Sequence, residues 1–249
     1  MTSTTRASRY KDQAAITLES GKTAAQFLPG IGAKLCSLVF KPAGLKLLLQ
    51  RANDTYLLAP YDGDYVTQGE CSGFDEMFPS IGRCFYEGYP WRGTPIPDHG
   101  EVWSIPWAWD QQDERLHLVT YGVRFPYRLE KWISFADDST LRADYRLTNL
   151  SAFDLDFMWA AHMMLNLEEG AELALPDGVR KIVTALGVAG SLGRYGDEFQ
   201  DQHFGHAGIE AHDIDVEAGD AQCVGLNIVP APPKSVMTTL KGDPRKTPR

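Results

Sequence analysis

The chain has 249 residues, of which 43% are hydrophobic and 23% are charged, and this composition excludes a wholly disordered protein. Its formal charge of −9 at pH 7 argues against nucleic-acid binding, because contact with a phosphate backbone needs a basic surface. The polar N-terminal segment, residues 1–13, is not followed by an apolar stretch, and no apolar run is long enough to span a bilayer. We therefore predict a cytoplasmic protein with neither a nucleic-acid nor a membrane partner.

Short strand-like segments follow the polar start of the chain. They lie at residues 15–18, 23–28, 33–40 and 45–50. Gly and Pro residues separate them, which is typical of turns. Since no segment has the periodicity of a long amphipathic helix, the pattern predicts an all-β sandwich or barrel. We place a single sandwich domain over residues 14–229.

Residues 60–110 are rich in Gly, Pro, Trp and acidic residues and show little periodicity. They predict a long loop region with a few short strands, and loops of this size in a compact domain are often functional. Within this region His99 stands between Asp98 and Glu101, so neighbouring carboxylates can orient the ring and tune its charge. The alternative is a solvated turn at the surface.

The clearest strand signal is a pair of alternating segments, residues 127–135 and 141–148, joined by a polar turn. Apolar and polar side chains alternate along both, which predicts a half-buried hairpin. A third run covers residues 153–162. In a regular strand its apolar odd-numbered residues face the core, and His162 points to the other face. The alternative is a buried core histidine.

Two features near the end of the chain predict a metal site and a weakly ordered tail. His203, His206 and His212 are followed by Asp213 and Asp215, a set that could bind zinc or another divalent ion in a metal-dependent enzyme. Residues 230–249 are rich in Pro and basic side chains, which predicts a tail of weak order.

Several blocks together resemble the galactose mutarotase (aldose 1-epimerase) family in their order and spacing. They are residues 28–35, 74–81, 97–103, 145–150 and 159–167, and the resemblance covers residues 14–195. It implies a large antiparallel β-supersandwich, in agreement with the alternating pattern.

The resemblance also implies an isomerase that interconverts sugar anomers by acid–base catalysis, through ring opening and closing and without a cofactor or metal. Its substrate would be a monosaccharide or sugar derivative. By resemblance, His162 aligns with the general acid and His99 with a second active-site histidine that hydrogen-bonds the sugar. The further substrate-binding candidates are Asp75, Glu101, Trp103 and Arg83.

The family places its general base, a glutamate, on a late strand, whereas the last glutamate here is Glu217, ahead of the basic tail. We therefore expect an incomplete or altered C-terminus. A second interpretation follows, in which the chain is a catalytically impaired carbohydrate-binding domain that lacks the base. The sequence leaves the identity of the sugar and the oligomeric state open.

Overall fold

The structure of the protein, a computed structural model, describes residues 3–166 and four short strands beyond them. The chain divides into two units: Met1–Leu165 with Gly225–Arg249, and Asn166–Val224. The second unit contains one described two-stranded hairpin. All other described elements belong to the first unit.

The described elements are almost all strands. The first half of the chain contains β1 (Thr4–Tyr10), β2 (Gln13–Glu19), β3 (Thr23–Leu28), β4 (Lys34–Phe40), β5 (Leu45–Lys46), the short helix α1 (Tyr65–Gln68), β6 (Phe74–Met77), β7 (Cys84–Phe85), β8 (Pro95–Ile96) and β9 (Ala108–Gln112). The second half contains β10 (Arg115–Tyr121), β11 (Tyr127–Phe135), β12 (Leu141–Asn149), β13 (Leu155–Phe157), β14 (Ala160–Met163), β15 (Ile182–Val183), β16 (Glu198–Phe199), β17 (Leu226–Ile228) and β18 (Thr238–Leu240).

Two antiparallel sheets form the body of the first unit. The larger one has the order β1-β2-β3-β4-β6-β14-β17, with β5 beside β4, and the smaller one has the order β12-β11-β10-β9. The predicted hairpin is β11–β12, which pairs from Tyr127 opposite Asn149 to Phe135 opposite Leu141. The strands predicted at residues 15–18, 23–28 and 33–40 correspond to β2, β3 and β4. Of the strand predicted at residues 45–50, only β5 is present.

The two sheets share one hydrophobic core. It contains Phe27 and Leu35 from the large sheet together with Leu116, Leu129 and Ile133 from the small one. Full burial of each such side chain contributes about 1.5–3 kcal/mol, so this shared layer is the main stabilising contact between the sheets. The predicted class, an antiparallel β-sandwich, is confirmed.

A buried ion pair also connects the sheets. The Lys131 ammonium of β11 donates to Glu76 of β6 at 2.8 Å and to the carbonyl of Ala33 at 2.8 Å. Glu76 therefore points into the space between the sheets. Because side chains alternate along a strand, its neighbour Asp75 projects from the opposite face of the large sheet.

The third predicted strand is divided in two. Its first part, β13, pairs with β18, whereas its second part, β14, joins the large sheet between β6 and β17. The break falls at Met158 and Trp159, where the Met158 amide donates to the Pro79 carbonyl at 2.8 Å. The expectation of one regular strand is corrected here, because pairing with two different sheets forces the chain to bend.

Both ends of the chain contribute strands to the first unit. The polar residues 4–10 form β1, which pairs with β2 along its whole length. In the Pro-rich tail, β18 is described, and the rest of residues 230–249 lie outside the described residues, as do His203, His206, His212 and Glu217. In the described part of the chain, no helix is both long enough and apolar enough to cross a membrane.

Candidate active site

The candidate site begins on the outer face of the large sheet, turned away from the small sheet. His162 of β14 lies directly opposite Asp75 of β6, and directly opposed residues in an antiparallel pair project from the same face. Lys34 of β4 reaches them, with its ammonium 3.0 Å from Oδ2 of Asp75. All three are nearly inaccessible to solvent, at 5%, 1% and 2% exposure for His162, Asp75 and Lys34.

Tyr65 of α1 links this cluster into a chain of polar contacts. Its hydroxyl lies 2.8 Å from Oδ2 of Asp75 and 3.2 Å from Nδ1 of His162. Asp64 caps the N-terminus of the helix, and its side chain accepts a hydrogen bond from the Thr67 amide. This capped turn holds the fully buried Tyr65 over the sheet.

His99 reaches the same place from the loop between β8 and β9. Its ring stacks on Tyr65 with a centroid distance of 4.1 Å and an interplanar angle of 7°. The rings of His99 and His162 are 5.0 Å apart and nearly perpendicular, at 88°. The structure therefore brings the two predicted histidines together.

Unusual backbone conformations place His99 in this position. His99 has φ 59°, and the following Gly100 has φ 76°. A Cβ atom on Gly100 would lie 2.1 Å from the carbonyl oxygen of Phe78, so only glycine fits there. A non-glycine residue at positive φ is uncommon, and such strain often occurs at functional sites.

Asp98 holds His99 and the start of α1. Its Oδ1 lies 3.0 Å from Nδ1 of His99, without the alignment of a hydrogen bond. Its Oδ2 accepts from the Tyr65 amide at 2.9 Å. Burial opposes ionisation of Asp98, but contacts with His99 and the Tyr65 amide, together with the charge of Arg83, hold its pKa below its usual value.

Burial also decides the charge of His162. It lowers the pKa of His162 from 6.5 to about 4, because a charged ring loses its hydration inside the protein. The neighbouring His99 and Lys34 act in the same direction, while Asp75 and Asp98 oppose them. His162 is therefore neutral at pH 7.

Tyr65 keeps its proton for the same reason. Burial, followed by the negative charge of Asp75, raises the pKa of the Tyr65 hydroxyl well above its usual value. The cluster therefore contains a charged ammonium, a carboxylate, a neutral phenol and a neutral imidazole in sequence. Such a chain can orient an imidazole and move a proton.

The other predicted site residues are placed differently. Trp103 packs edge-on against the Tyr65 ring, with a centroid distance of 5.1 Å, and its indole N–H donates to the Asp98 carbonyl at 2.8 Å. It therefore helps to hold both residues in place. Glu101 is fully buried, and its carboxylate accepts hydrogen bonds from the hydroxyls of Tyr61 and Tyr127 and from the amides of Val123 and Arg124. Arg83 is exposed and donates to the Asp62 carbonyl at 2.9 Å.

A cavity of about 210 Å³ lies beside the cluster. Its lining includes Lys34, Tyr56, Glu70 and Trp103 but neither histidine. Lys34 is paired with Asp75, and Glu70 is paired with Lys11. The charges at this cavity are thus paired within the protein.

The described residues contain no group of three or more His, Cys, Asp or Glu side chains arranged to hold a metal ion. The alternative metal set, His203, His206 and His212 with two aspartates, lies outside the described residues. That interpretation therefore remains a prediction.

No family model and no curated protein matches the chain. Among solved structures, it is similar to a galactose mutarotase-like protein from Clostridium acetobutylicum, with a TM-score of 0.53 and 16% identity over 66% of this chain and 54% of that chain. The two chains share an antiparallel β-sandwich fold. At this identity the similarity defines the fold and leaves the activity to be tested.

Two further solved structures have lower TM-scores. A 4-alpha-glucanotransferase from Thermococcus litoralis has a TM-score of 0.42 and 14% identity, over 74% of this chain and 30% of that chain. A TPR-domain containing protein from Parabacteroides distasonis has a TM-score of 0.42 and 16% identity, over 61% of this chain and 24% of that chain. This chain therefore spans between about a quarter and about half of the length of the three structures.

Proposed function

We propose that this protein interconverts the anomers of an aldose by acid–base catalysis without a cofactor, with His99 and His162 as the two reacting groups. The observation that carries the proposal is the meeting of two imidazoles, 5.0 Å apart, from separate parts of the fold. The galactose mutarotase-like sandwich supports the same class of reaction, although at a level of similarity that defines only the fold.

Anomer exchange needs two proton transfers at neighbouring oxygens. One group removes the proton from the anomeric hydroxyl, and another protonates the ring oxygen, so that the ring opens to an aldehyde. Rotation about the C1–C2 bond and reversal of the proton transfers close the ring on the other face. Positioned side chains that donate or accept these protons contribute about 10²–10⁴-fold to the rate, and histidine is the commonest choice.

The surroundings of the two rings suit this chemistry. His162 is buried and the His99 side chain is 16% exposed. Neighbouring groups hold both rings: Asp98 and Tyr65 contact His99, and Tyr65 contacts His162. Electrostatic interactions are stronger where water is excluded. Held imidazoles can therefore act on the two oxygens bonded to one carbon atom of a sugar.

NMR exchange spectroscopy tests the proposal, by measuring how fast the anomeric proton signals of galactose, glucose and other aldoses exchange in the presence of the protein. We expect protein-dependent exchange of at least one aldose, and a fall of about 100-fold or more in His162→Asn and in His99→Asn. His117→Asn is the matched control, because His117 is a buried histidine that contacts Asp110 and Glu130 on the small sheet. Exchange equal to that in buffer for every aldose, or equal losses in all three variants, would refute the proposal.

A further inference from the structure

The outer face of the small sheet carries charged and aromatic side chains that the proposed function does not use. Leu129 and Ile133 of β11 pack into the core, so the residues that alternate with them project to the outside. Strand pairing aligns one row of outer residues across the sheet: Asp110, His117, Trp132 and Asp144. Trp132 therefore lies on an inner strand, away from the edges of the sheet.

Two arginines pack against the indole ring of Trp132, one from each neighbouring strand. Cζ of Arg146 on β12 lies 5.1 Å from the ring centroid, and Cζ of Arg115 on β10 lies 5.9 Å from it. At such distances the π system attracts a cation. Gln112 accepts the indole N–H at 2.9 Å, and His117, whose side chain is 10% exposed, stacks under the ring. The ring is therefore held in place, and it positions both guanidinium groups.

Neither of these arginines has an acidic partner. In the part of the chain that the structure describes, the side chains of Arg115 and Arg146 form no hydrogen bond and no ion pair. Each acidic residue of the same face is already paired with another basic residue. The pairs are Asp110–His117, Glu130–Arg128 and Asp144–Arg142. Two guanidinium groups, which are always charged, thus remain without a counter-ion beside Trp132.

This surplus of positive charge fits an anionic ligand of low charge density. The planar fork of a guanidinium binds a carboxylate with paired hydrogen bonds. The chain as a whole carries a charge of −9, so a polymer with one negative charge per ~1.7 Å, such as DNA, is repelled by the rest of the surface. A carbohydrate with one carboxylate per sugar residue has a lower charge density and meets this repulsion less.

Tyr121 extends the same face along the sheet. Its side chain is 55% exposed, and it lies four residues after His117 on β10, so both project to the outside. At about 3.4 Å per residue, Tyr121 is about 14 Å from the row that contains Trp132. An exposed aromatic ring offers an apolar surface to the C–H groups of a sugar ring. A ligand that contacts both places must be an extended chain rather than a small anion.

We propose that the outer face of the small sheet binds an acidic oligosaccharide, with Arg115 and Arg146 on its carboxylates and Tyr121 against one of its rings. The proposal is independent of the proposed function, because Asp75 and His162 project from the outer face of the other sheet. His117 supports the indole from below and does not contact the ligand.

Isothermal titration calorimetry of the full chain with the methyl glycoside of tri-galacturonic acid tests this proposal. The probe has no free anomeric hydroxyl, so it is not a substrate of the proposed reaction. We expect saturable binding that weakens as salt is added, because salt screens exposed charges. The methyl ester of the probe keeps the sugar rings but loses the charges, and it should bind at least about 10-fold more weakly. Equal affinities for the acid and the ester, or no binding of either, would overturn the proposal.

Arg115→Gln and Arg146→Gln should each weaken binding by about 10-fold, because each removes a charged donor. Arg142→Gln is the matched control, since Arg142 lies on the same face of β12 but is paired with Asp144 at 2.7 Å. It should leave the affinity nearly unchanged. All three variants should unfold at nearly the urea concentration of the wild type, because such surface substitutions have small effects on stability. Equal weakening in the three variants would contradict the proposal.

NMR spectra of the wild type locate the bound probe without any arginine variant. The indole N–H signal of Trp132, identified by its absence in Trp132→Phe, should shift and saturate as the probe is added. An unshifted signal would contradict the proposal, and so would an identical shift with inorganic phosphate at the same concentration. Loss of probe binding in His162→Asn, or tighter binding of single-stranded DNA than of the probe, would overturn it as well.

Discussion

His162 gives the folded protein a characteristic dependence on pH. Its pKa falls from 6.5 to about 4 on folding, so between these values the unfolded chain binds a proton that the folded site rejects. The contribution of neutral His162 to the free energy of unfolding is complete above pH 6.5 and is lost as the pH falls toward 4. The loss amounts to about 3 kcal/mol. Urea unfolding across this window should therefore show a steeper loss of stability for the wild type than for His162→Asn. Parallel curves would contradict the burial of a neutral ring.

Glu76 and Lys131 make a second residue-level prediction, independent of the site. Both are almost completely inaccessible, at 0% and 1% exposure. Glu76→Gln removes the negative partner and leaves a buried ammonium unpaired, so we expect a loss of about 3–5 kcal/mol in the free energy of unfolding.

Asp144→Asn is the control for this measurement, because its pair with Arg142 is largely exposed. It should cost at most about 1 kcal/mol. Similar losses in the Glu76 and Asp144 variants would show that burial of the pair has no special effect on stability.

The sequence predicted some residues of the cluster and missed others. His99, His162 and Asp75 were singled out, and Asp98 was recognised as a carboxylate able to tune His99. Tyr65 and Lys34 were not assigned to the site. Neither has a local signal, since each reaches the cluster through pairing and loop packing between distant segments of the chain.

Individual strands were predictable where one face is buried and the other is not. The hairpin β11–β12 follows this rule, since two-residue periodicity reflects the geometry of the pleat. The division of residues 153–162 into β13 and β14 was not predictable, because the partner strands, rather than the local pattern, determine it. In the divided strand Leu155, Phe157 and Met163 pack against the core, whereas His162 contacts Tyr65.

The loop that carries His99 gives a prediction at the level of a structural element. Gly100→Ala would force a Cβ atom to within 2.1 Å of the Phe78 carbonyl at a positive φ, so the loop must shift. We expect a loss of about 1–3 kcal/mol in the free energy of unfolding, measured with urea, and a displaced His99 ring signal.

Gly82→Ala is the matched control in the neighbouring loop, because a Cβ atom there meets nothing within 4 Å. It should leave both stability and the His99 signal nearly unchanged. Equal behaviour of the two glycine variants would contradict the tight packing of the His99 loop.

At the scale of the whole molecule, the stabilising core and the candidate site occupy different faces of the large sheet. The core lies between the sheets, whereas Asp75, His162 and Lys34 project from the other face. Variants of the histidines should therefore fold, and their effects on activity can be separated from effects on stability.

Of the predictions about the whole chain, the structure tests the fold but not the C-terminal glutamate. The fold follows from the alternating pattern and agrees with the similar solved structure. The expected loss of a C-terminal glutamate base stays a prediction, since Glu217 lies outside the described residues.

We propose that His99 and His162 together bind and act on an aldose. The most direct test is an NMR titration, in which galactose or glucose is added to the protein with labelled histidine rings. We expect the ring signals of His99 and His162 to shift together and saturate, while the signals of His117 on the small sheet stay in place. Shifts confined to His117, or no shift at either site histidine with any aldose that the protein interconverts, would contradict it.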